Sequence, residues 1–267
     1  MAKPETITSS ANQLLKEVRR AISRGSLTEQ GWCVAETFHL LEEALRSECE
    51  VKTVLAAESA LAATETHLGR LPVKLVVLPD TLFASVAATE TSQGVIALVK
   101  PPAWKLEQLF GSAPLVVVLD GLQDPGNAGT IVRAAEAFGA TGILFLKGTV
   151  SPYNSKTLRA AAGSLFRVPF LHGMEADAAL AALQENRVEL FAGVPAGSKK
   201  PAFQLTTVDL TGRCGLIIGS EAHGVSDGLR AAAIDVTIPT AGVESLNAAV
   251  AAGILLYEAR RQRMLRP

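Results

Sequence analysis

From residue 115 onward, short and mostly apolar runs alternate with stretches long enough to be helices, and this alternation leaves few architectures open. The runs are LVVVL (115–119), GILFL (142–146), RVPFL (167–171), VELFAG (188–193), GLIIG (215–219) and DVTIP (235–239). Between them the periodicity predicts helices near 128–138, 154–163, 175–186 and 227–233, and a long one over 245–263. Short strands apolar on both faces and linked through helices form a parallel sheet with helices on each side.

The first 100 residues read as a smaller α/β unit. Helical patterns cover 10–24 and 34–46, strands are predicted at 51–57, 73–79 and 94–100, and helical stretches lie around 59–67 and 80–88. Pro101 and Pro102, then Trp104 and the segment from Gly111 to Pro114, read as a connection. The expected division is a first domain at 1–100, a linker at 101–113 and a second domain at 114–267. A chain of 267 residues, 48% hydrophobic and 19% charged, is long enough for two cores.

Several classes are disfavoured. No apolar run approaches the ~20 residues of a membrane span, and the N-terminus has no leader pattern. Cys33, Cys49 and Cys214 are odd in number and lack CxxC spacing, which predicts reduced thiols in the cytoplasm and argues against a zinc site. A net charge of −1 provides no overall pull on nucleic acid, so such a partner needs local patches. The candidates are Lys3, Lys16, Arg19, Arg20 and Arg24; Lys156, Arg159 and Arg167; and Arg260, Arg261, Arg263 and Arg266. Taken alone, each cluster reads first as a solvated helix face.

Three segments carry polar and small residues where strands should end: DGLQDPGNAGTIVRAAEAFGA (120–140), LIIGSEAHGVS (216–226) and VTIPTAGVESLNAAVAAGILLYEARRQR (236–263). Sites in α/β folds form at such exits. In the first, small residues and a helix N-terminus suit an anion or hydroxyl, and Arg133 can lean back toward that opening. Asn127 reads either as a site residue or as an N-cap, and so does Ser245 in the third segment. The helix after Ser245 is expected to bury Leu246, Ala249, Val250, Gly253, Ile254 and Tyr257. The GxGxxG spacing and the P-loop Lys-Ser/Thr pair are both missing. His39, His67, His172 and His223 have no evident nucleophile partner, and no metal-ligand spacing occurs. What remains is group transfer from a bound cosubstrate to an acceptor that needs orientation and mild activation.

NAGTIVR (127–133), GSEAHGV (219–225) and IPTAGVESLNAAVA (238–251) together resemble the three motifs of the SpoU (TrmH) family of RNA ribose 2′-O-methyltransferases, in the SPOUT superfamily. The resemblance covers roughly 114–265, and more loosely the first 100 residues, including TSQGVIALV at 91–99. It implies a parallel-sheet domain with a trefoil knot that holds S-adenosylmethionine, with adenine near Gly193, Val194, Gly219, Ile238 and Leu246. It implies that Arg133 acts on the ribose hydroxyl by orientation and charge, and that Asn127, Glu221, Ser245 and Asn247 shape the acceptor and cosubstrate sites. In SKTLRAAAGSLFRVPF (155–170), Arg159 and Gly163 match the pattern, whereas Ala161 stands where many relatives carry serine at a secondary RNA contact. The implied activity is methylation of ribosomal RNA by a cytoplasmic homodimer, without metal or membrane. A transfer-RNA 2′-O-methyltransferase, a base methyltransferase and a non-catalytic RNA-binding assembly factor are the alternatives.

Overall fold

The computed structural model describes residues 4–195 and 201–265. The chain divides into two compact units, Met1–Ala103 with Tyr153–Arg167, and Trp104–Pro152 with Val168–Pro267. The compact units differ from the linear reading at 101–113 in two respects. Residues from Trp104 onward already belong to the second unit, where Leu109 is fully buried, and 153–167 belong to the first.

The first unit contains β1 (Glu5–Thr6), α1 (Gln13–Arg24), β2 (Cys33–Glu36), α2 (Phe38–Arg46), β3 (Val51–Ala57), α3 (Leu61–Leu68), β4 (Lys74–Leu78), α4 (Asp80–Ala84) and β5 (Val95–Val99). Its sheet runs β1-β4-β3-β5-β2, with β1 and β3 parallel to β4 and with β5 antiparallel to both β3 and β2. The pattern over 34–46 predicts one helix, but its first residues form β2. All four residues of β2 are buried against β5, and Thr37 (φ 146°) ends the strand and caps α2 by accepting a hydrogen bond from the Leu40 amide at 3.1 Å. Cross-strand pairing with residues some sixty positions away outweighs the local helical pattern.

Two ion pairs hold 153–167 within this unit: Arg159 to the buried Glu36 at 3.4 Å, and Arg167 to Glu43 at 2.6 Å. Gly163 has φ 91°, and a Cβ there would lie 2.5 Å from that of Glu43, so only glycine fits. Ala161 is fully buried.

The second unit contains β6 (Leu115–Asp120), α5 (Pro125–Ala137) and β7 (Gly142–Leu146). After α6 (Ser155–Ala161), which lies in the first unit, it resumes with β8 (Phe170–Met174), α7 (Ala176–Glu185), β9 (Glu189–Gly193), β10 (Phe203–Gln204), β11 (Cys214–Gly219), α8 (Asp227–Ala231), β12 (Ile234–Thr237) and α9 (Ala248–Met264). Every neighbouring pair in the order β10-β12-β9-β11-β6-β7-β8 is parallel. One face packs Val116, Val118, Leu144 and Ile217 against α7 and α8, in a cluster that includes Leu183 and Leu229. Helix α9 packs on β9, β11 and α5. The alternation therefore produces the doubly covered parallel sheet expected from it.

Helix α9 is oriented differently from the periodic reading. It buries Ala249, Ala252, Leu255, Leu256 and Ala259, while Val250 is 52% and Tyr257 55% exposed. An alanine-rich helix offers two apolar stripes at helical period, and the small residues pack inward where α5 and the sheet approach closely. The outer stripe, with Gly253 and Ile254, joins Thr130, Ala134 and Phe138 of α5 along an open groove.

Candidate active site at the strand exits

At the end of β6, Gly121 turns the chain (φ 69°) and its amide donates to Thr149 Oγ1 at 3.0 Å. Asp124 caps α5, its Oδ1 accepting from the Asn127 amide at 2.7 Å, and Pro125 occupies the first helical position. Asn127 is thus the third residue of the helix and not its cap, so its side chain is free for other partners.

At the end of β11, Gly219 has no room for a side chain, since a Cβ would lie 2.1 Å from the Gly224 carbonyl carbon. Ser220 and Gly224 bond each other's backbones at 3.0 and 2.9 Å, and the His223 amide donates to Ser220 Oγ at 3.1 Å. The loop is anchored to β6 by the Ser226 amide, which donates to Asp120 Oδ2 at 2.7 Å. Glu221 rides at the tip of this hairpin. Asp120 and Asp124 are anchors that motif reading misses; the Asp-Pro pair at 124–125 is the sequence signal that could have revealed the second.

The three segments meet through side chains. Asn127 Nδ2 donates to Glu221 Oε1 at 2.8 Å, and Asn247 Nδ2 donates to Asn127 Oδ1 at 3.0 Å. Asn247 Oδ1 accepts from the amides of Ala249 and Val250 at 2.9 and 3.3 Å and so caps α9. The helix therefore begins after Asn247, and Ser245 is not its cap. Polarity dictates each amide's orientation: a carboxylate only accepts, so Asn127 must turn Nδ2 to Glu221 and offer its oxygen to Asn247.

Beside this relay lies a cavity of about 580 Å³. Gly193, Val194, Gly219, Ile238 and Leu246, the five positions implied for cosubstrate, all line it, together with Glu221, Ser245 and Asn247. Its size and mixed lining suit a nucleoside-sized ligand. A Cβ on Gly193 would stand 3.2 Å from Leu255 Cδ1, so backbone forms that part of the wall. Arg230, also in the lining, is held by Asp235 at 2.6 Å, a hydrogen bond that raises its pKa.

Arg133 is not gathered with the others. It is six positions beyond Asn127 on α5, which rotates it about 120° round the helix, and it is exposed, without a hydrogen-bond or ion-pair partner among the described residues. His223 donates its backbone amide within the loop and is among the residues lining the cavity. Burial raises the Cys33 thiol to about 12 and also raises Cys214, so neither is a ready nucleophile. Among the described residues no cluster of His, Cys, Asp and Glu could hold a metal, and no helix is long and apolar enough to cross a membrane.

Much of the basic surface is committed internally. Arg19 bonds the carbonyls of Ser10 and Ser85, Arg20 pairs with Glu29, Arg261 pairs with Glu258, and Arg263 ties four backbone carbonyls between Ala113 and Gly212. Lys3 and Arg266 lie outside the described residues.

The family model described as SpoU rRNA Methylase matches residues 114–257, just over half of the chain. The chain belongs to the SpoU rRNA methylase family. A second model, the MRM3-like substrate binding domain, matches residues 12–97. The SpoU chain is 31% identical over 256 residues to the 23S rRNA (guanosine(2553)-2′-O)-methyltransferase RlmP of Bacillus subtilis, covering 95% of this chain and 98% of that one. It is 33% identical to the 23S rRNA (guanosine-2′-O-)-methyltransferase RlmB of Vibrio cholerae, over 74% of this chain and 82% of the relative. Among solved structures, the SpoU methyltransferase AviRb from Streptomyces viridochromogenes in complex with the cofactor AdoMet superposes with a TM-score of 0.84 at 27% identity, covering 96% of this chain and all of that one.

Proposed function

We infer that this SpoU family member is an S-adenosylmethionine-dependent methyltransferase that modifies a ribose 2′-hydroxyl of ribosomal RNA. The observation that carries this reading is the Glu221–Asn127–Asn247 relay at the rim of a cavity lined by Gly193, Gly219 and Leu246. Cavity volume and bare glycine walls fit S-adenosylmethionine, which supplies an electrophilic methyl group when bound. The chain's own contribution is positional. Gly193, Val194, Gly219, Ile238 and Leu246 enclose the cosubstrate and exclude water, while Asn127, Glu221, Ser245 and Asn247 shape the rim where the ribose enters. Orienting two reactants in this way can supply much of a transfer barrier. Arg133 would contribute charge and orientation to the acceptor, since a guanidinium with pKa above ~12 is a poor base.

Three finer features belong to the same reading. The C-terminal chain forms a trefoil knot around the cosubstrate; β9 lies between β11 and β12 in the sheet while preceding both in sequence, and the segment after β12 lines the same cavity as Gly193 and Gly219. The protein is a cytoplasmic homodimer joined through the α5–α9 groove, whose exposed Val250 and Tyr257 are unusual for a helix that also supplies core. The first unit binds the RNA, in keeping with its match to a substrate-binding domain.

The test is transfer of labelled methyl to ribosomal RNA lacking modification, followed by nuclease digestion and mass analysis. A 2′-O-methyl nucleoside is expected. Binding of S-adenosylmethionine without label in RNA would sink the assignment, and label on a base or in transfer RNA would redirect it. Arg133→Ala is expected to abolish transfer while keeping cosubstrate affinity.

A further inference from the structure

In the first unit, Arg20, Arg46, Lys74, Arg159 and Arg167 each face a carboxylate. Lys52 and Lys100 are different. Both are exposed, neither has a carboxylate partner among the described residues, and their ammonium groups lie 5.8 and 5.4 Å from the centroid of one indole, that of Trp32. Sheet register brings them together, because Cys33 and Val51 both pair with Val99; Trp32, Lys52 and Lys100 therefore cluster at one end of the sheet.

The indole itself is rigidly held. Trp32 is buried in the core of the unit, its amide donates to Thr28 Oγ1 at 3.0 Å, and its carbonyl accepts from the Thr28 amide at 2.9 Å. Lys100 Nζ also donates to the Gln30 carbonyl at 3.4 Å, and the bare Gly31 faces it, where a Cβ would stand 3.1 Å from Nζ. The negative ring face attracts each cation, but two like charges around one ring still repel, and an anion between or above them relieves that repulsion. With only 8% of Trp32 exposed, no base can stack on it. Lysine ammoniums are point charges suited to phosphate.

We propose that Lys52 and Lys100, converging on Trp32, are a contact for the phosphate backbone of the RNA substrate. This rests on the RNA reading above and assigns it a location on the first unit. Because the contact is to phosphate, it contributes affinity and register rather than sequence choice.

The experiment measures affinity for an unmodified 23S rRNA transcript as a function of salt, for the wild type, for Lys52→Gln/Lys100→Gln and for Lys52→Arg/Lys100→Arg, with S-adenosylmethionine affinity as the control for folding. Each phosphate contact contributes about 0.7–0.9 to the slope of log K against log salt. The glutamine pair is therefore expected to reduce the slope by about 1.4–1.8 and to weaken binding at least several-fold, with cosubstrate affinity unchanged and the arginine pair close to wild type. An unchanged slope in a folded glutamine variant overturns the proposal. Should the glutamine pair not fold, the single variants Lys52→Gln and Lys100→Gln are measured instead, each expected to lower the slope by about 0.7–0.9; unchanged slopes in both overturn the proposal. A wild type that neither binds nor methylates the transcript defeats the RNA reading itself, whereas a wild type that does both alongside an unaltered glutamine variant defeats only this contact.

Discussion

Asn127 donates a 2.8 Å hydrogen bond to Glu221 across 94 positions of sequence and accepts one from Asn247, so a single amide joins three strand exits. Neither end of that amide is spare.

Asn127→Ala leaves Glu221 and Asn247 without their shared partner. Each such bond contributes about 0.5–1.5 kcal/mol net, so stability should fall only slightly, while methyl transfer falls at least about tenfold, as expected of a lost orienting contact. Asn127→Asp sets two carboxylates at hydrogen-bond distance, where one must take up a proton. It should be less active than the alanine variant at pH ~8 and regain part of its rate toward pH ~5. Initial rates across this range check both, and parallel pH profiles for the two variants would refute the coupling.

Gly219→Ala forces a methyl group into the Gly224 backbone, which the Ser220–Gly224 bonds and the Asp120–Ser226 anchor hold in position. The loop must move, and cosubstrate affinity measured by calorimetry should drop by at least about tenfold, or ~1.4 kcal/mol. Gly228→Ala, with open space around it, is the control and should bind normally.

Burial alone would raise the Glu43 carboxyl, but its hydrogen bond and charge interaction with Arg167 outweigh that, helped by His39 and Arg46, and hold it below its ordinary value. A carboxyl with a depressed folded-state pKa contributes stability that is present above the unfolded value of 4.5 and is lost as pH falls through the lower folded value. Glu43→Gln should therefore lower the melting temperature near pH 7 and flatten its fall between pH ~6 and ~3. Calorimetric scans read this directly, and a variant curve parallel to wild type would refute it.

Val250→Glu or Tyr257→Glu adds charge to the α5–α9 groove without touching the buried stripe of α9. Sedimentation should show a monomer with an unchanged melting profile at matched low concentration. A dimer of wild-type affinity in both variants would refute the proposed pairing through this groove.

Alternating apolar runs and helical stretches were sufficient to read the parallel sheet, because strand burial on both faces is written into consecutive residues. The five cavity positions came from the resemblance of the three segments to the SpoU motifs, and all five line one cavity. Local pattern failed where two structures fit the same residues. Val34–Glu36 carries a helical pattern and becomes part of a strand only because β5 supplies its hydrogen bonds. Helix α9 has two apolar stripes, and which one turns inward depends on what packs beside it.

The order of the chain thus specified the sheet, its covering helices and the residue types at its exits, all properties set by neighbours within a few turns. Tertiary structure decided that Asn127 bridges Glu221 and Asn247 while Arg133 stands apart, and that Lys52 and Lys100 converge on Trp32. These are contacts across tens to more than a hundred positions, and no local periodicity encodes them, because hydrogen bonds and charges act through space and not along the chain.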